Sequence, residues 1–242
     1  MVHTAIIIPC YNEASRFPVN RYVSFVKKNF AASIYFVNDG SSDNTDSVLE
    51  DLRIKFPKHI SIINQEKNEG KAAAIRLGMI SALKNNKLER FAFLDADLST
   101  SIEECILLSE KVTNETSFVF GSRIKKLDNN IQRKAHRFII GRIIATFISK
   151  MLRLPIYDSQ CGCKIFSREW ATFIFNEAFL TRWLFDVEIF YRLINHFGRT
   201  KIQTKILEVP LSAWIDSENS KVSLFYGIKV WFDLLKIYKH YK

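Results

Sequence analysis

Nowhere in its 242 residues does the chain string together the roughly 18 to 20 uninterrupted apolar residues that a membrane-spanning helix needs. A charged leader and a small-residue cleavage site are also missing, because Met1 leads straight into an apolar strand, so no signal peptide is expected. The four cysteines, Cys10, Cys105, Cys161 and Cys163, are too few and too irregularly spaced for a disulfide framework, which points to reduced thiols in a cytosolic setting. Cys161 and Cys163 have no partners at zinc-ligand spacing. With eight glycines and five prolines there is no Pro/Gly-rich linker, and neither an internal repeat nor a low-complexity tract marks a second independent domain.

What the chain does have is apolar mass. Apolar residues make up 48% of it, including 20 Phe, enough to bury one substantial core and to exclude a disordered chain. Lys and Arg exceed Asp and Glu by 35 to 25, which biases the surface toward anionic partners such as anionic lipid or phosphorylated ligands. A nucleic-acid-binding module is not expected. The polar loops are acidic where a phosphate backbone would have to lie, and the usual basic-aromatic modules are absent.

Short β-branched runs at Ala5 to Pro9, Ile34 to Asp39, Ile60 to Gln65, Phe91 to Asp95 and Phe118 to Gly121 alternate with helix-length amphipathic segments. That rhythm predicts an α/β fold, a mostly parallel Rossmann-like sheet with helices on both faces. In such sheets ligands bind beyond the carboxyl ends of the strands. Three polar clusters fall there: YNE after the first run, NDGSSD after the second and DADLS after the fourth. Further on, the pattern predicts a long amphipathic helix over 131–154, a short strand after Cys161, a strand over 202–209 and a final helix.

Asp95 and Asp97 stand at i and i+2 after an apolar strand, so both carboxylates project to one side of an extended chain. Left unpaired they would repel; a divalent ion bridging them to a diphosphate explains the pair better. Asp39 in the second cluster can accept hydrogen bonds from a ribose or a base N–H, while Ser41, Ser42 and Asp43 read as a strand-to-helix turn. Asp186 and Glu188 open an amphipathic helix, where carboxylates are favoured by the dipole whether or not they do chemistry.

Taken in order, IIIPCYNEASR, FVNDGSSDNT, NEGKAAAIRLGM, FLDADLS, FGSR, DSQCGCKIF and LFDVEIFYRL resemble the family-2 inverting glycosyltransferases of the GT-A fold. The closest resemblance is to the dolichyl-phosphate glucosyltransferase and dolichyl-phosphate mannose synthase branch. It implies that Pro9, Tyr11, Glu13, Asn38 and Asp39 line a nucleotide pocket, with Lys71 and Arg76 nearby. It implies that Asp95 and Asp97 hold Mg2+ or Mn2+ on the sugar-nucleotide diphosphate, with Ser99 in the metal shell. Gly162 is expected to let backbone approach the donor sugar, and Asp186 or Glu188 to orient the acceptor or act as base. Asn38 departs from the paired aspartates usual in that family, which keeps an acceptor but loses a charge.

The branch implies a lipid-phosphate acceptor. A phosphate monoester, with a second pKa of about 6, is already largely dianionic at neutral pH and needs cations more than a strong base. Arg123, Arg133, Arg137 and Lys221 are the candidate cations. The 131–154 helix interleaves basic residues with Phe138, Ile139, Ile143, Phe147 and Met151, and the last helix carries a stripe of Leu224, Phe225, Ile228, Trp231, Phe232 and Leu235. Both patterns suit an interfacial helix on an anionic bilayer.

The expected organisation is therefore a catalytic domain over 1–215 followed by an amphipathic helix over 216–242. Its expected location is peripheral, on the cytoplasmic face of a membrane, and the expected reaction moves a hexose, such as glucose from UDP-glucose, to a polyprenyl or dolichyl phosphate. Transfer to a saccharide hydroxyl in polysaccharide assembly, and a silent nucleotide-sugar-binding scaffold, are the alternatives.

Overall fold

The computed structural model describes residues 3–28, 31–215 and 226–242. Strand β1 (His3–Cys10) shows why the first half of the chain reads as apolar runs. Ala5 and Ile7 face one core cluster while Ile6, Ile8 and Cys10 face another, and all five are buried. A strand covered on both faces has no solvent side to mark with polar residues.

Strands β2 (Ala32–Asp39), β3 (Ile60–Gln65) and β4 (Leu88–Phe93) run parallel to β1 in the order β3-β2-β1-β4. The sheet continues through β7 (Lys164–Ser167), β5 (Phe118–Ser122) and β8 (Ile206–Pro210). Strand β7 is antiparallel to both β4 and β5, and it places Lys164 directly across from Phe93.

Helices α1 (Val19–Lys27), α2 (Thr45–Lys55) and α4 (Ile102–Ser109) pack on one face through Tyr22, Phe25, Leu49, Leu52, Cys105 and Leu108. Helices α3 (Lys71–Leu83), α6 (Arg168–Phe175) and α7 (Phe185–Phe197) cover the other. Beneath α7 lies a phenylalanine cluster in which Phe118 stacks on Phe166 at 4.5 Å and touches Phe190 at 5.4 Å, while Phe93 meets Phe185 at 5.6 Å. Each fully buried ring contributes roughly 1.5–3 kcal/mol, so this cluster holds β4, β5, β7 and α7 as one unit. Ser101 caps α4 by accepting from Glu104 N at 3.1 Å, with Glu103 and Glu104 in the first turn where the helix dipole favours them.

Two predicted elements differ. The helix expected over 131–154 begins later, as α5 (Ala135–Leu152), because Asn130–Gln132 forms the short strand β6, parallel to β9 (Ala213–Ile215). Ile131 is buried in that pairing, and Arg133 precedes the helix rather than lying on it. The strand expected over 202–209 is split. Gly198 ends α7, and Arg199–Lys205 winds into α8, burying Ile202, before β8 begins at Ile206.

The last helix, α9 (Tyr226–Tyr241), buries Val230, Leu234 and Ile237 in the same cluster as α7. Its Trp231, Phe232 and Leu235 remain exposed, as do Phe138, Ile139, Ile140, Ile143 and Phe147 on α5. Phe147 and Trp231 meet edge-on at 5.0 Å, which joins the two exposed apolar faces.

Candidate active site

The loops after β1, β2 and β4 meet beyond the carboxyl ends of the strands, and hydrogen bonds stitch the first two together. Asn12, at φ 48°, donates its backbone N–H to Ser41 Oγ and accepts from Ser42 N at 2.8 Å. Glu13 N donates to Thr45 Oγ1 at 2.8 Å and Ala14 N to Asp43 Oδ2 at 3.2 Å. Ser41 therefore ties the turn to the first loop rather than capping α2, whose N-cap is Asn44.

Asn38 and Asp39 end β2 almost fully buried. Asn38 accepts from Ser41 N and donates to Asp46. Asp39 Oδ1 accepts from Glu69 N at 2.8 Å, and Oδ2 accepts from Gly70 N and Asn68 Nδ2, both at 2.9 Å. Burial raises the Asp39 pKa, with the Glu69 and Gly70 N–H groups opposing it. In this structure Asp39 anchors the 68–70 loop, and through it the start of α3, while Asn38 ties down the turn after β2. Tyr11 is exposed at the mouth, Pro9 is half-buried, and the Glu13 carboxylate pairs with Arg16 at 2.5 Å.

Lys71 opens α3, and its Nζ lies 2.5 Å from Asp95 Oδ1. Burial alone would lower the Lys71 pKa; the carboxylates of Asp95, Asp186 and Asp97 outweigh it and raise the value. The turn carrying Asp95 and Asp97 is closed by Leu98 N donating to Asp95 O, with Leu98 at φ 52°. Tyr22 Oη donates to Ala96 O and Arg21 to Leu98 O, which holds the turn from the α1 side. Ser99 meets Asp97 through its backbone N–H, at 2.9 Å from Oδ1.

On the other flank, a Cβ added to Gly162 would lie 2.0 Å from Asp95 Oδ2. The missing side chain makes room for the aspartate itself. Two residues on, Lys164 is fully buried, donates to Cys161 O at 2.6 Å and lies 2.7 Å from Asp186 Oδ1. Burial raises the Asp186 pKa against the pull of Lys164 and Lys71. Asp95, Lys71, Asp186 and Lys164 thus form a row of alternating charge across the crevice floor.

Several expected site residues are directed elsewhere. Glu188 does not share the crevice with Asp186, because two residues of helix turn a side chain by about 200°. It is fully buried, pairing with Arg192 at 2.9 Å and accepting from Leu180 N at 2.8 Å and Tyr241 Oη at 2.9 Å. Arg76, five residues along α3 from Lys71, donates to Asn176 O at the end of α6. Arg123 is held by Asp158, at 2.7 Å from Nε and 2.8 Å from Nη2, and lies over the Trp214 ring. Arg133 packs against Gly141, Arg137 is half-buried on the first turn of α5, and Lys221 lies outside the described residues.

The residues that the sequence left unassigned are Lys164, Asp158, Glu208, Asn68 and Arg182. Glu208 accepts from Tyr157 N and Asp158 N at 2.9 and 2.7 Å, so it holds the loop that presents Gly162. Arg182 donates to Asn68 O, and its backbone carbonyl accepts from Ala72 N. The one available signal was a lysine entering an apolar strand in KIF, since a buried ammonium needs an anion.

Two carboxylates on one tight turn, a lysine facing them and a buried aspartate opposite make a crevice suited to a charged, phosphorylated donor. The fold is that of solved sugar transferases. Glucosyl-3-phosphoglycerate synthase from Mycobacterium tuberculosis superimposes with a TM-score of 0.68 at 12% identity, covering 98% of this chain and 80% of that one. Mannosyl-3-phosphoglycerate synthase from Rubrobacter xylanophilus does so with 0.70 at 13%, covering 98% and 73%.

Residues 5–175 match the model of glycosyl transferase family 2, and the chain belongs to that family: it is a glycosyltransferase. Among its relatives, a dolichyl-phosphate beta-glucosyltransferase of Trichomonas vaginalis is 31% identical over 98% of this chain and 71% of its own length. The human dolichyl-phosphate beta-glucosyltransferase is 29% identical over 98% and 75%.

Proposed function

We propose that this glycosyltransferase moves glucose from UDP-glucose, with inversion, onto a dolichyl or other polyprenyl phosphate at a membrane surface. The observation that carries the reading is the extent of the similarity. The family match ends at residue 175, whereas the likeness to dolichyl-phosphate beta-glucosyltransferases runs through 98% of the chain and so takes in α7 and α9.

A divalent ion fits the site. The Asp95 carboxylate already faces a cation, the Lys71 ammonium, and the hard oxygens of Asp95 and Asp97 suit Mg2+ or Mn2+. Among the described residues no three His, Cys, Asp or Glu side chains form a self-sufficient metal site, so the remaining ligands fall to the diphosphate and water. Bound there, such an ion would neutralise the charge that builds on the departing diphosphate. Asp95 and Asp97 would hold it, and Tyr11 at the mouth and the loop anchored by Asp39 would flank the nucleotide.

In the transfer, an acceptor phosphate oxygen forms the bond to the anomeric carbon as the bond to UDP breaks, and the electron pair leaves with UDP. A dianionic phosphate needs no proton removed, so Asp186 orients rather than deprotonates. The acceptor's candidate cations remain Arg123, oriented by Asp158, Arg133, Arg137 and Lys221. The exposed apolar faces of α5 and α9, joined at Phe147 and Trp231, would rest on the cytoplasmic leaflet, with Lys150 and Lys239 among the basic residues beside them. Among the described residues no helix is long and apolar enough to cross a membrane.

A saccharide hydroxyl acceptor is the second reading, favoured by the raised pKa of Asp186, which suits a general base. Transfer of radiolabelled glucose from UDP-glucose to polyprenyl phosphate, with Mg2+ or with EDTA and with Asp97→Ala as control, tests the proposal. Metal-dependent glycolipid that disappears in the variant supports it; donor binding without glycolipid moves the assignment to the saccharide acceptor.

A further inference from the structure

The crevice contains a cation of its own, placed where the metal has to go. Lys71 Nζ is 2.5 Å from Asp95 Oδ1, and the other carboxylate oxygen, Oδ2, is the one closest to the position a Gly162 side chain would take. Asp97 in turn has Oδ1 engaged by Ser99 N at 2.9 Å. A divalent ion arriving alone meets an aspartate already neutralised by an ammonium, with no third carboxylate, thiol or imidazole grouped there among the described residues to complete a shell.

We propose that Lys71 is a placeholder that occupies Asp95 until a nucleotide diphosphate arrives, so that metal and nucleotide are taken up together rather than metal first. The inference rests on the nucleotide-sugar reading of the site.

The chemistry of lysine suits this exchange. Its ammonium is a compact charge on a flexible four-carbon stem, so it can leave one anion for another without moving the backbone. Lys71 is fixed at its root by the start of α3, whose preceding residue Gly70 (φ 97°) is held by Asp39. Two anions other than Asp95 are within its field: Asp186 and Asp97 both act on Lys71, and a diphosphate entering the crevice adds a third of higher charge. A diphosphate that draws Lys71 away uncovers Asp95 as it supplies the missing ligand oxygens. That is a positive coupling between two ligands, and it must be reciprocal.

Mn2+ binding followed by electron paramagnetic resonance, without and with UDP, reads this coupling without any turnover. The wild-type chain should bind Mn2+ alone at least tenfold more weakly than in the presence of UDP. Lys71→Met, or Lys71→Gln should the first variant not fold, should bind Mn2+ alone about tenfold more tightly than wild type, with UDP adding correspondingly less.

Lys28→Met removes one positive charge at the end of α1, where it pairs with Glu103, and should leave Mn2+ affinity within about twofold of wild type. Equal Mn2+ affinity of wild type and the Lys71 variant in the absence of UDP, while both still bind Mn2+ with UDP, would overturn the placeholder role. A gain in Lys28→Met as large as in the Lys71 variant would overturn it too, by reducing the effect to general field strength. A wild-type chain that binds neither UDP nor Mn2+ with UDP would sink the nucleotide-sugar reading along with it.

Discussion

Gly162 and Asp95 are in such close approach that a single methyl on the glycine would sit 2.0 Å from the aspartate's Oδ2. The contact makes the DSQCGCKIF segment a wall of the proposed donor site, where the absent side chain leaves room for a carboxylate of this chain.

Gly162→Ala should therefore displace Asp95 while leaving the fold intact, since Gly162 is not in the left-handed region. A misplacement of about 1 Å at a reacting centre costs on the order of 10²-fold in rate. Steady-state kinetics should show a loss of that size in kcat/KM for the donor, with a thermal midpoint within a few degrees of wild type. An unchanged kcat/KM would mean that Asp95 is not needed where the structure puts it.

Lys164→Met should be a stability variant as well as an activity variant. It leaves the buried Asp186 without its partner, and breaking such a pair costs about 3–5 kcal/mol. The double variant Lys164→Met/Asp186→Leu, which removes both charges, should recover much of that loss in urea denaturation but no transferase activity. Failure to recover would show that Lys164 stabilises chiefly through Cys161 O and its packing on Phe93.

Asp186 and Glu188 should separate in activity rather than in stability. Asp186→Asn leaves the fully buried Lys164 without its counter-charge, so it should lower the melting midpoint as well as change the KM for acceptor or kcat. Glu188→Gln removes the counter-charge of Arg192 and weakens the tie to Tyr241; it should lower the melting midpoint by several degrees and leave kcat near wild type. Circular dichroism melts alongside kinetics make the comparison, and the reverse pattern would reassign the two carboxylates.

The Arg123–Asp158 pair should contribute to the acid limb of stability. Although burial opposes ionisation, the adjacent Arg123 guanidinium holds the Asp158 carboxyl well below the usual carboxylate range. Its folded-state pKa is lower than its unfolded one, so the unfolded chain binds more protons as pH falls, and stability present at neutral pH is lost progressively from about pH 5 downward. Asp186 has the opposite sign: its raised value makes its contribution decline as pH rises. Asp158→Asn should flatten the fall in unfolding free energy between about pH 5 and pH 3, measured by urea titrations at each pH; an unchanged slope would place the acid sensitivity elsewhere.

Much of this could be read along the chain. The five apolar runs became β1 to β5; β1, β2 and β5 are buried along nearly their whole length and so must be apolar at nearly every position, while the edge strand β3 buries only Ile60, and in each the signal is local. The motif order that resembles family-2 glycosyltransferases lay in the loops after those strands, so the meeting of those polar loops in one crevice was legible too; that Asp95 pairs with Lys71 was not. The apolar stripes on α5 and α9 were legible by their helical period, since Trp231, Phe232 and Leu235 lie off the face that Val230, Leu234 and Ile237 bury.

Other features were decided by contacts distant in sequence. Strand β6 has one buried residue, Ile131, and exists because β9, more than 80 positions later, lies beside it; no local period announces a three-residue strand. Ile202 reads as β-forming, yet Gly198 starts a short helix there and the core accepts it. Whether Arg123 would meet an acceptor or an aspartate depended on Asp158, 35 residues away, and whether Lys164 would be solvated or buried depended on Asp186 coming to rest above it. Local periodicity and turn chemistry are properties of neighbouring residues, and the sequence determined them by itself. The partner of a charged side chain is a property of the packed fold, because desolvation makes every buried ion find a counter-ion from whatever element the topology brings alongside.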